Sequence, residues 1–164
     1  MTKKTTYIIL ILAILSVVGL YFFNKYNVAP VIEILKLEVV DQDTNKFDIP
    51  SLKGKMVIVS FYASWCPNCI EELKLLNSIK NTKLADVEVL AITDEGLEKM
   101  VDFKTKKQYP FTFLTLTNSF SSLGIVSIPT TYLLNTKGEI VYNKVGYIDW
   151  DDESTLNHLK SLME

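Results

Sequence analysis

The sequence predicts an α/β protein with a central mixed β-sheet flanked by helices, preceded by a single apolar helix at its N-terminus. Three observations favour this fold class: an uncharged apolar run near the start, β-branched runs that alternate with helical patterns, and a terminal hairpin followed by a helix. Alternating strands and helices are typical of sheets covered by helices, and a hairpin adds antiparallel strands. The length of 164 residues leaves room for one such domain and an accessory segment.

Residues 7–23 (YIILILAILSVVGLYFF) form the accessory segment. They carry no charge, they follow Lys3 and Lys4, and the first acidic residue of the chain is Glu33. Such a run approaches the roughly 20 apolar residues that cross a bilayer, and the two lysines predict that the N-terminus is cytoplasmic. We therefore expect a cytoplasmic N-terminus over residues 1–6, a transmembrane anchor over 7–23, a linker over 24–33 and an extracytoplasmic folded domain over 34–164.

A cleaved signal peptide is the alternative interpretation of this run. The run ends in large residues, and the nearest small residue suited to cleavage, Ala29, is followed by Pro30. The pattern therefore favours an uncleaved, single-pass anchor, and its terminal position disfavours a buried core helix. Either interpretation places the domain outside the cytoplasm, in a periplasm or on the outer surface of the cell membrane.

Seven segments of the remaining chain have the composition or alternation of β-strands. Residues 56–62 (MVIVSFY) are suited to a buried central strand, and residues 135–138 (NTKG) to the turn of a hairpin. The predicted strands are residues 32–40 at a sheet edge, 46–49, 56–62, 87–92, 111–116 (or an extended loop), 130–134 and 139–145.

Helical periodicity marks segments between and after these strands. Over residues 66–80, Leu73 and Leu76 share one face with Cys69, and the charged residues fall elsewhere. Pro67 fits because the first turn of a helix has no intrahelical N–H bond to lose. The predicted helices are residues 66–80, 97–107 and 151–162, with a short turn or helix at 119–123.

The charge pattern excludes nucleic acid as a partner. The chain contains no arginine, and from Pro30 onward it carries 14 lysines against 19 acidic residues. An acidic domain without arginine offers neither a basic groove nor a bidentate phosphate clamp.

Cys66 and Cys69 are the only cysteines, and they stand between the predicted central strand and the following helix. Cysteines outside the cytoplasm usually pair, but a disulfide across three residues closes too small a loop to add much stability. Structural zinc needs four ligands, most often Cys and His, and beyond the pair the chain offers one histidine, His158, and no further cysteine. The pair therefore predicts thiol–disulfide exchange, a two-electron reaction that needs no cofactor and no metal.

The two cysteines are expected to have different roles. Cys66 stands where the helix begins, so free N–H groups and the helix dipole stabilise its thiolate as the nucleophile. Cys69 lies one turn further and would resolve the mixed disulfide, while Trp65 would shield and present the pair. Glu72 falls near the same helical face, where a carboxylate accepts thiol protons or raises thiol pKa values by repulsion. An exposed acid on the helix surface is the alternative interpretation of Glu72.

Ile128 and Pro129 directly precede a predicted strand. A cis turn at this proline would leave the Ile128 backbone free to pair with an extended segment of a partner protein. Trp65, Ile128 and Pro129 are therefore the predicted substrate-binding residues.

Residues 61–69 (FYASWCPNC) and 128–131 (IPTT) together resemble the thioredoxin superfamily. The resemblance covers about residues 34–163. Within the superfamily the chain is most similar to the membrane-anchored, extracytoplasmic TlpA/ResA/CcmG-like group. The anchor, the loop at residues 52–55 (LKGK) and the Cys-x-x-Cys-x-x-Glu pattern that ends at Glu72 support that choice. The resemblance implies a thioredoxin-like fold.

The resemblance also implies roles for individual residues. Cys66 matches the exposed nucleophile, Cys69 the resolving cysteine, Glu72 the active-site acid and Pro129 the cis-proline. Ser60 stands where cytoplasmic thioredoxins carry a buried aspartate, which leaves Glu72 as the nearest obvious carboxylate.

Two positions depart from the group's pattern. The dipeptide between the cysteines is Pro67-Asn68, so the group's reduction potential does not carry over, and Tyr62 replaces a common tryptophan.

The expected function is a thiol–disulfide oxidoreductase that reduces disulfides of exported proteins, such as apocytochrome c, and receives electrons from a membrane thiol–disulfide donor. A disulfide oxidant or isomerase is the first alternative, although residues 70–128 leave no room for the helical insertion of DsbA-type oxidants. A copper carrier that adds His158 to the two thiolates is another alternative. A peroxidase on the same fold is disfavoured because the chain has no arginine.

Overall fold

The computed structural model of the chain describes residues 3–163. The first two residues of the predicted segment 1–6 and the last residue of the predicted domain 34–164 lie outside that range. Within it, a mixed sheet of six strands carries helices on one face and follows an N-terminal apolar helix, so the predicted α/β fold class is confirmed.

The sheet has parallel strands at its centre and antiparallel strands at its edges. The strand order is β1-β4-β3-β2-β5-β6. β2, β3 and β4 are parallel neighbours, whereas β1, β5 and β6 each run antiparallel to the strands beside them. The strands are β1 (Val39–Val40), β2 (Met56–Phe61), β3 (Val87–Thr93), β4 (Thr112–Leu116), β5 (Thr130–Leu134) and β6 (Ile140–Val145).

The helices confirm the predicted elements closely. Parallel neighbours need a crossover connection, and a helix supplies it between β2 and β3 and between β3 and β4. The helices are α1 (Lys3–Asn27), α2 (Pro67–Lys80), α3 (Leu97–Lys107) and α4 (Glu153–Met163), and the short 3-10 helices are Ile34–Lys36, Ile49–Leu52 and Phe120–Leu123.

The sheet separates two hydrophobic layers. On one face, α2, α3 and α4 bury residues such as Leu73, Met100 and Leu156 against the strands. On the other face, the chain before β2 and the 3-10 helix after β4 bury residues such as Ile34 and Phe120. Both faces are therefore covered, as the buried central strands require.

Two predicted strands are wrong in large part. Only Val39–Val40 of residues 32–40 forms a strand, and within 46–49 only Lys46 makes an isolated bridge, to Val40. The apolar alternation that indicated a strand, including the buried Ile34, comes instead from a segment that covers the face of the sheet without pairing to it. Burial on a face selects the same residue types as strand pairing does.

The N-terminal helix is long and apolar enough to cross a membrane. Its window Tyr7–Asn24 is wholly exposed in the structure, and a signal sequence would satisfy the same criteria of length and composition. The segment expected as a linker, residues 24–33, is helical through Asn27 and then packs against the domain. There the Tyr132 hydroxyl donates a hydrogen bond of 2.7 Å to the Pro30 carbonyl.

Gly138, in the turn between β5 and β6, provides a test of this packing. Its φ is +82°, and a Cβ there would lie 3.1 Å from Leu35 Cδ1, whereas Gly54 (φ +96°) has open space around it. We expect Gly54→Ala to cost about 1–2 kcal/mol of unfolding free energy for its left-handed backbone, and Gly138→Ala to cost more because Leu35 must also move. Thermal unfolding of both variants measures the difference, and equal losses would contradict the contact.

Candidate active site

Cys66 and Cys69 form a disulfide at the start of α2. Cys66 is the N-cap of the helix, and Pro67 follows in the first turn. The Cys69 N–H donates a hydrogen bond of 3.3 Å to Cys66 Sγ. Cys66 is 5% exposed and Cys69 is fully buried. The helix N-terminus therefore directs free N–H groups at the sulfur of Cys66, which favours a thiolate there once the disulfide is reduced.

The loop before β5 faces this disulfide. The Ile128–Pro129 peptide bond is cis, as the resemblance implied, and the Ile128 carbonyl oxygen lies 3.8 Å from Cys66 Sγ. The Pro129 carbonyl accepts a hydrogen bond of 2.7 Å from the Gly146 N–H, which ties this loop to the end of β6. The structure thus brings together the two motifs that lie about 60 residues apart in the sequence.

A groove of about 220 Å³ opens beside the disulfide. Trp65 forms one side of it and is 69% exposed, while Ile128 forms another. Trp65 therefore stands open to a partner beside the nearly buried Cys66. The groove is completed by Asp94, Phe120, Ile125, Val126 and Ser127.

Glu72 is fully buried, so the alternative of an exposed surface acid is wrong. One carboxylate oxygen accepts a hydrogen bond from the Thr131 hydroxyl and the other from the Ile148 N–H, each at 2.8 Å. Neither oxygen is hydrogen-bonded to a cysteine sulfur among the described residues. Exposed Glu71, by contrast, lies 3.6 Å from Lys74.

Burial raises the pKa of Glu72 to about 7. Desolvation is the largest cause, and the hydrogen bonds from Ile148 and Thr131 and the charge of Lys144 oppose it. Trp150 also lowers this pKa, although its Nε1 makes no full hydrogen bond with any described residue. A carboxyl with a pKa near 7 can both accept and return a proton at neutral pH.

Several residues around the pair carry no obvious signal in the sequence. Thr131 and Ile148 are ordinary strand and loop residues, and only their contacts with Glu72 mark them. Ser60 faces Thr131 across β2 and β5, is fully buried, and its hydroxyl has no partner among the described residues. Glu95 also lies near the pair, where it accepts hydrogen bonds from Ser64. The one mark of this position in the sequence is that Glu95 closely follows β3, which ends at the same edge of the sheet as β2.

His158 is the residue that the copper-carrier alternative would add to the two thiolates. Its side chain is exposed on α4. Among residues 3–163, no group of three or more His, Cys, Asp or Glu side chains is arranged to hold a metal ion.

A Cys-x-x-Cys disulfide at a helix N-terminus, facing a cis-proline loop on a mixed sheet, defines the class of thioredoxin-like proteins. The chain belongs to the AhpC/TSA family, whose model matches residues 29–143.

The relatives support the resemblance to the ResA-like group. The chain is 34% identical over 101 residues to sporulation thiol-disulfide oxidoreductase A of Bacillus subtilis, and this match covers 57% of this chain and 61% of the relative. It is 29% identical over 107 residues to thiol-disulfide oxidoreductase ResA of Bacillus subtilis, and this match covers 61% of this chain and 59% of the relative. The match therefore spans less than two thirds of either relative.

Solved structures support the same fold. A thiol:disulfide interchange protein of Chlorobium tepidum superposes with a TM-score of 0.63 at 22% identity, covering 83% of this chain and 98% of that one. StoA of Bacillus subtilis superposes with a TM-score of 0.58 at 26% identity, also covering 83% and 98%. The thioredoxin-like fold and the resemblance to this superfamily are therefore confirmed.

Proposed function

We propose that the chain is a thiol–disulfide oxidoreductase that reduces disulfides of exported proteins through Cys66 and Cys69. The observation that carries this proposal is the position of the Cys66–Cys69 disulfide at the N-terminus of α2, 3.8 Å from the Ile128 carbonyl. The names of both Bacillus subtilis relatives support the same type of reaction.

The reaction proceeds in two exchanges. The Cys66 thiolate attacks one sulfur of a substrate disulfide, a mixed disulfide forms, and the other substrate sulfur leaves as a thiolate that takes up a proton. The Cys69 thiol then loses its proton and attacks Cys66 Sγ, which releases the second substrate thiolate. The substrate gains two electrons and two protons, and the Cys66–Cys69 disulfide is restored.

Substrate binding uses the loop that faces the pair. An extended segment around the substrate cysteine pairs with the Ile128 backbone next to Pro129, and a side chain beside that cysteine lies in the groove against Trp65. This arrangement places the substrate sulfur beside Cys66, the more exposed of the two cysteines.

Glu72 is proposed as the proton acceptor for Cys69. Its pKa of about 7 and its place one turn after Cys69 on α2 support that role. Ser60 cannot replace it, because a serine hydroxyl does not accept a proton at neutral pH.

The location proposed for this reaction is the extracytoplasmic side of the cell membrane. The apolar α1 is the single-pass anchor, with residues 1–6 in the cytoplasm. A membrane thiol–disulfide protein supplies electrons to the Cys66–Cys69 disulfide, and exported proteins such as apocytochrome c receive them.

The reduction potential of the pair tests the direction of electron flow. We expect the full-length chain in detergent to have a potential below about −230 mV, within or below the range of reducing thioredoxin-like proteins. Equilibration with glutathione buffers, followed by thiol alkylation, measures it. A potential near about −120 mV, as in strong oxidants, would contradict the proposal and favour the disulfide oxidant.

A further inference from the structure

The turn between β2 and α2 carries the nucleophile. Four residues, Tyr62 to Trp65, separate the end of β2 from Cys66, and the Cys66 N–H donates a hydrogen bond of 3.1 Å to the Ala63 carbonyl. Ser64 therefore lies inside a closed turn that must keep its shape while the disulfide at Cys66 opens and reforms.

One carboxylate, that of Glu95, holds this turn from the side. One of its oxygens accepts a hydrogen bond from the Ser64 backbone N–H, and the other accepts one of 2.9 Å from the Ser64 hydroxyl. The Glu95 side chain is only 7% exposed. Hydrogen bonds from a backbone N–H to a buried carboxylate are stronger than those between neutral groups.

The position of Glu95 is itself fixed by its own part of the chain. The Glu95 N–H donates to the Thr93 hydroxyl at 3.2 Å. Lys99 lies 3.6 Å from the carboxylate and is 64% exposed, so it compensates the charge from the solvent side. Glu95 follows β3, and because β3 is the parallel neighbour of β2, the two strands end at the same edge of the sheet.

We propose that Glu95 is a positioning residue for thiol–disulfide exchange, acting through Ser64 to hold the turn that carries Trp65 and Cys66. This inference rests on the function proposed above. The attacking sulfur must align with both sulfurs of the substrate disulfide, and small displacements of a reacting group lower rates steeply. Glu95 is the only hydrogen-bond partner of the Ser64 backbone N–H among the described residues.

Two substitutions of Glu95 separate its hydrogen bonds from its charge. Glu95→Ala removes both bonds. Glu95→Gln removes the charge only, because the amide oxygen still accepts from the Ser64 N–H and the amide NH₂ donates to the Ser64 oxygen, whose hydrogen can turn away. Glu98→Ala is the matched control, since Glu98 is an exposed glutamate nearby on α3.

The measurement is the reaction of the reduced, full-length chain in detergent with glutathione disulfide over a range of pH. The high-pH plateau reports the rate of the Cys66 thiolate, and the midpoint reports the pKa of its thiol. We expect the plateau to fall about tenfold or more in Glu95→Ala and to stay within about threefold of wild type in Glu95→Gln. Glu98→Ala should leave both plateau and midpoint unchanged.

A wild-type plateau in Glu95→Ala, or equal losses in Glu95→Ala and Glu95→Gln, would overturn the inference. If Glu95→Ala does not fold, as judged by near-UV circular dichroism, the Ser64→Ala variant tests the inference in its place. It removes only the hydroxyl bond and should lower the plateau a few-fold, whereas an unchanged plateau would overturn the inference. Failure of the proposed function is distinguishable, because the wild-type chain itself would then show no reaction that depends on Cys66.

Discussion

Replacing Cys66 with serine is expected to reduce the catalysed reduction of a protein disulfide, such as those of insulin, to the rate of the dithiol alone. A serine hydroxyl stays protonated and forms no mixed disulfide, so the first exchange cannot occur. The assay uses the full-length chain in detergent with dithiothreitol as the electron source, and insulin turbidity reports the rate.

Cys69→Ser is the matched control for this prediction. The buried Cys69 acts only in the second exchange, so this variant should still attack the substrate and then accumulate a mixed disulfide through Cys66. Non-reducing electrophoresis and mass spectrometry detect that adduct. An adduct in Cys66→Ser but not in Cys69→Ser would reverse the assigned roles, and wild-type turnover in Cys66→Ser would contradict the proposed function.

Glu72→Gln is expected to remove a pH dependence from the stability of the folded chain. Burial raises the pKa of Glu72 from 4.5 to about 7 in the folded chain. The folded state therefore binds more protons than the unfolded state between these values, and stability falls as pH rises through them. The loss amounts to about 3.5 kcal/mol for the oxidised chain, at about 1.4 kcal/mol for each pKa unit.

Denaturant unfolding of the oxidised chain between about pH 4 and 8 measures this effect. The Glu72→Gln variant should lack the decrease in unfolding free energy that wild type shows. Glu71→Gln should keep it, because the Glu71 side chain is 52% exposed. Parallel curves for wild type and Glu72→Gln would show that Glu72 does not titrate in this range.

The same substitution tests the role of Glu72 as a base. A positioned base contributes about a hundredfold or more to a proton transfer, so Glu72→Gln should slow release of the mixed disulfide near pH 7 by at least about tenfold. The first exchange should change little, since it begins from the Cys66 thiolate. Rapid chemical quenching separates the two exchanges, and an unchanged second exchange would remove Glu72 from the mechanism.

The elements that position the cysteines could be predicted because their signals are local. The run at residues 56–62 has the β-branched and aromatic composition of a buried strand, and the apolar residues of 66–80 recur at helical spacing. Both were found within two residues of β2 and α2. The two cysteines stand at the junction, so their place at a helix N-terminus followed from sequence alone.

The segment before β2 could not be predicted in the same way. Its buried residues, such as Ile34 and Ile49, cover the sheet face from 3-10 helices. A chain that crosses a sheet face and a chain that pairs at its edge both require alternating apolar residues. Only the tertiary contacts distinguish them, and the sequence contains no local mark of those contacts.

The candidate site shows the same division between local and distant signals. The helical spacing from Cys69 to Glu72 put the carboxyl on the right face, but its burial depends on Thr131 and Ile148, more than 55 residues further along the chain. The contact of Glu95 with Ser64 likewise joins two strand ends that only the parallel pairing of β2 and β3 brings together.

The redox state of the pair in intact cells tests the central proposal most directly. Cells that make the full-length chain are treated with a membrane-impermeant thiol reagent that adds mass, and the chain is then resolved by electrophoresis. A reductase outside the membrane predicts that Cys66 and Cys69 are largely reduced and labelled without lysis. A pair that stays oxidised, or that is labelled only after lysis, would contradict the proposed direction of electron flow or the proposed location, respectively.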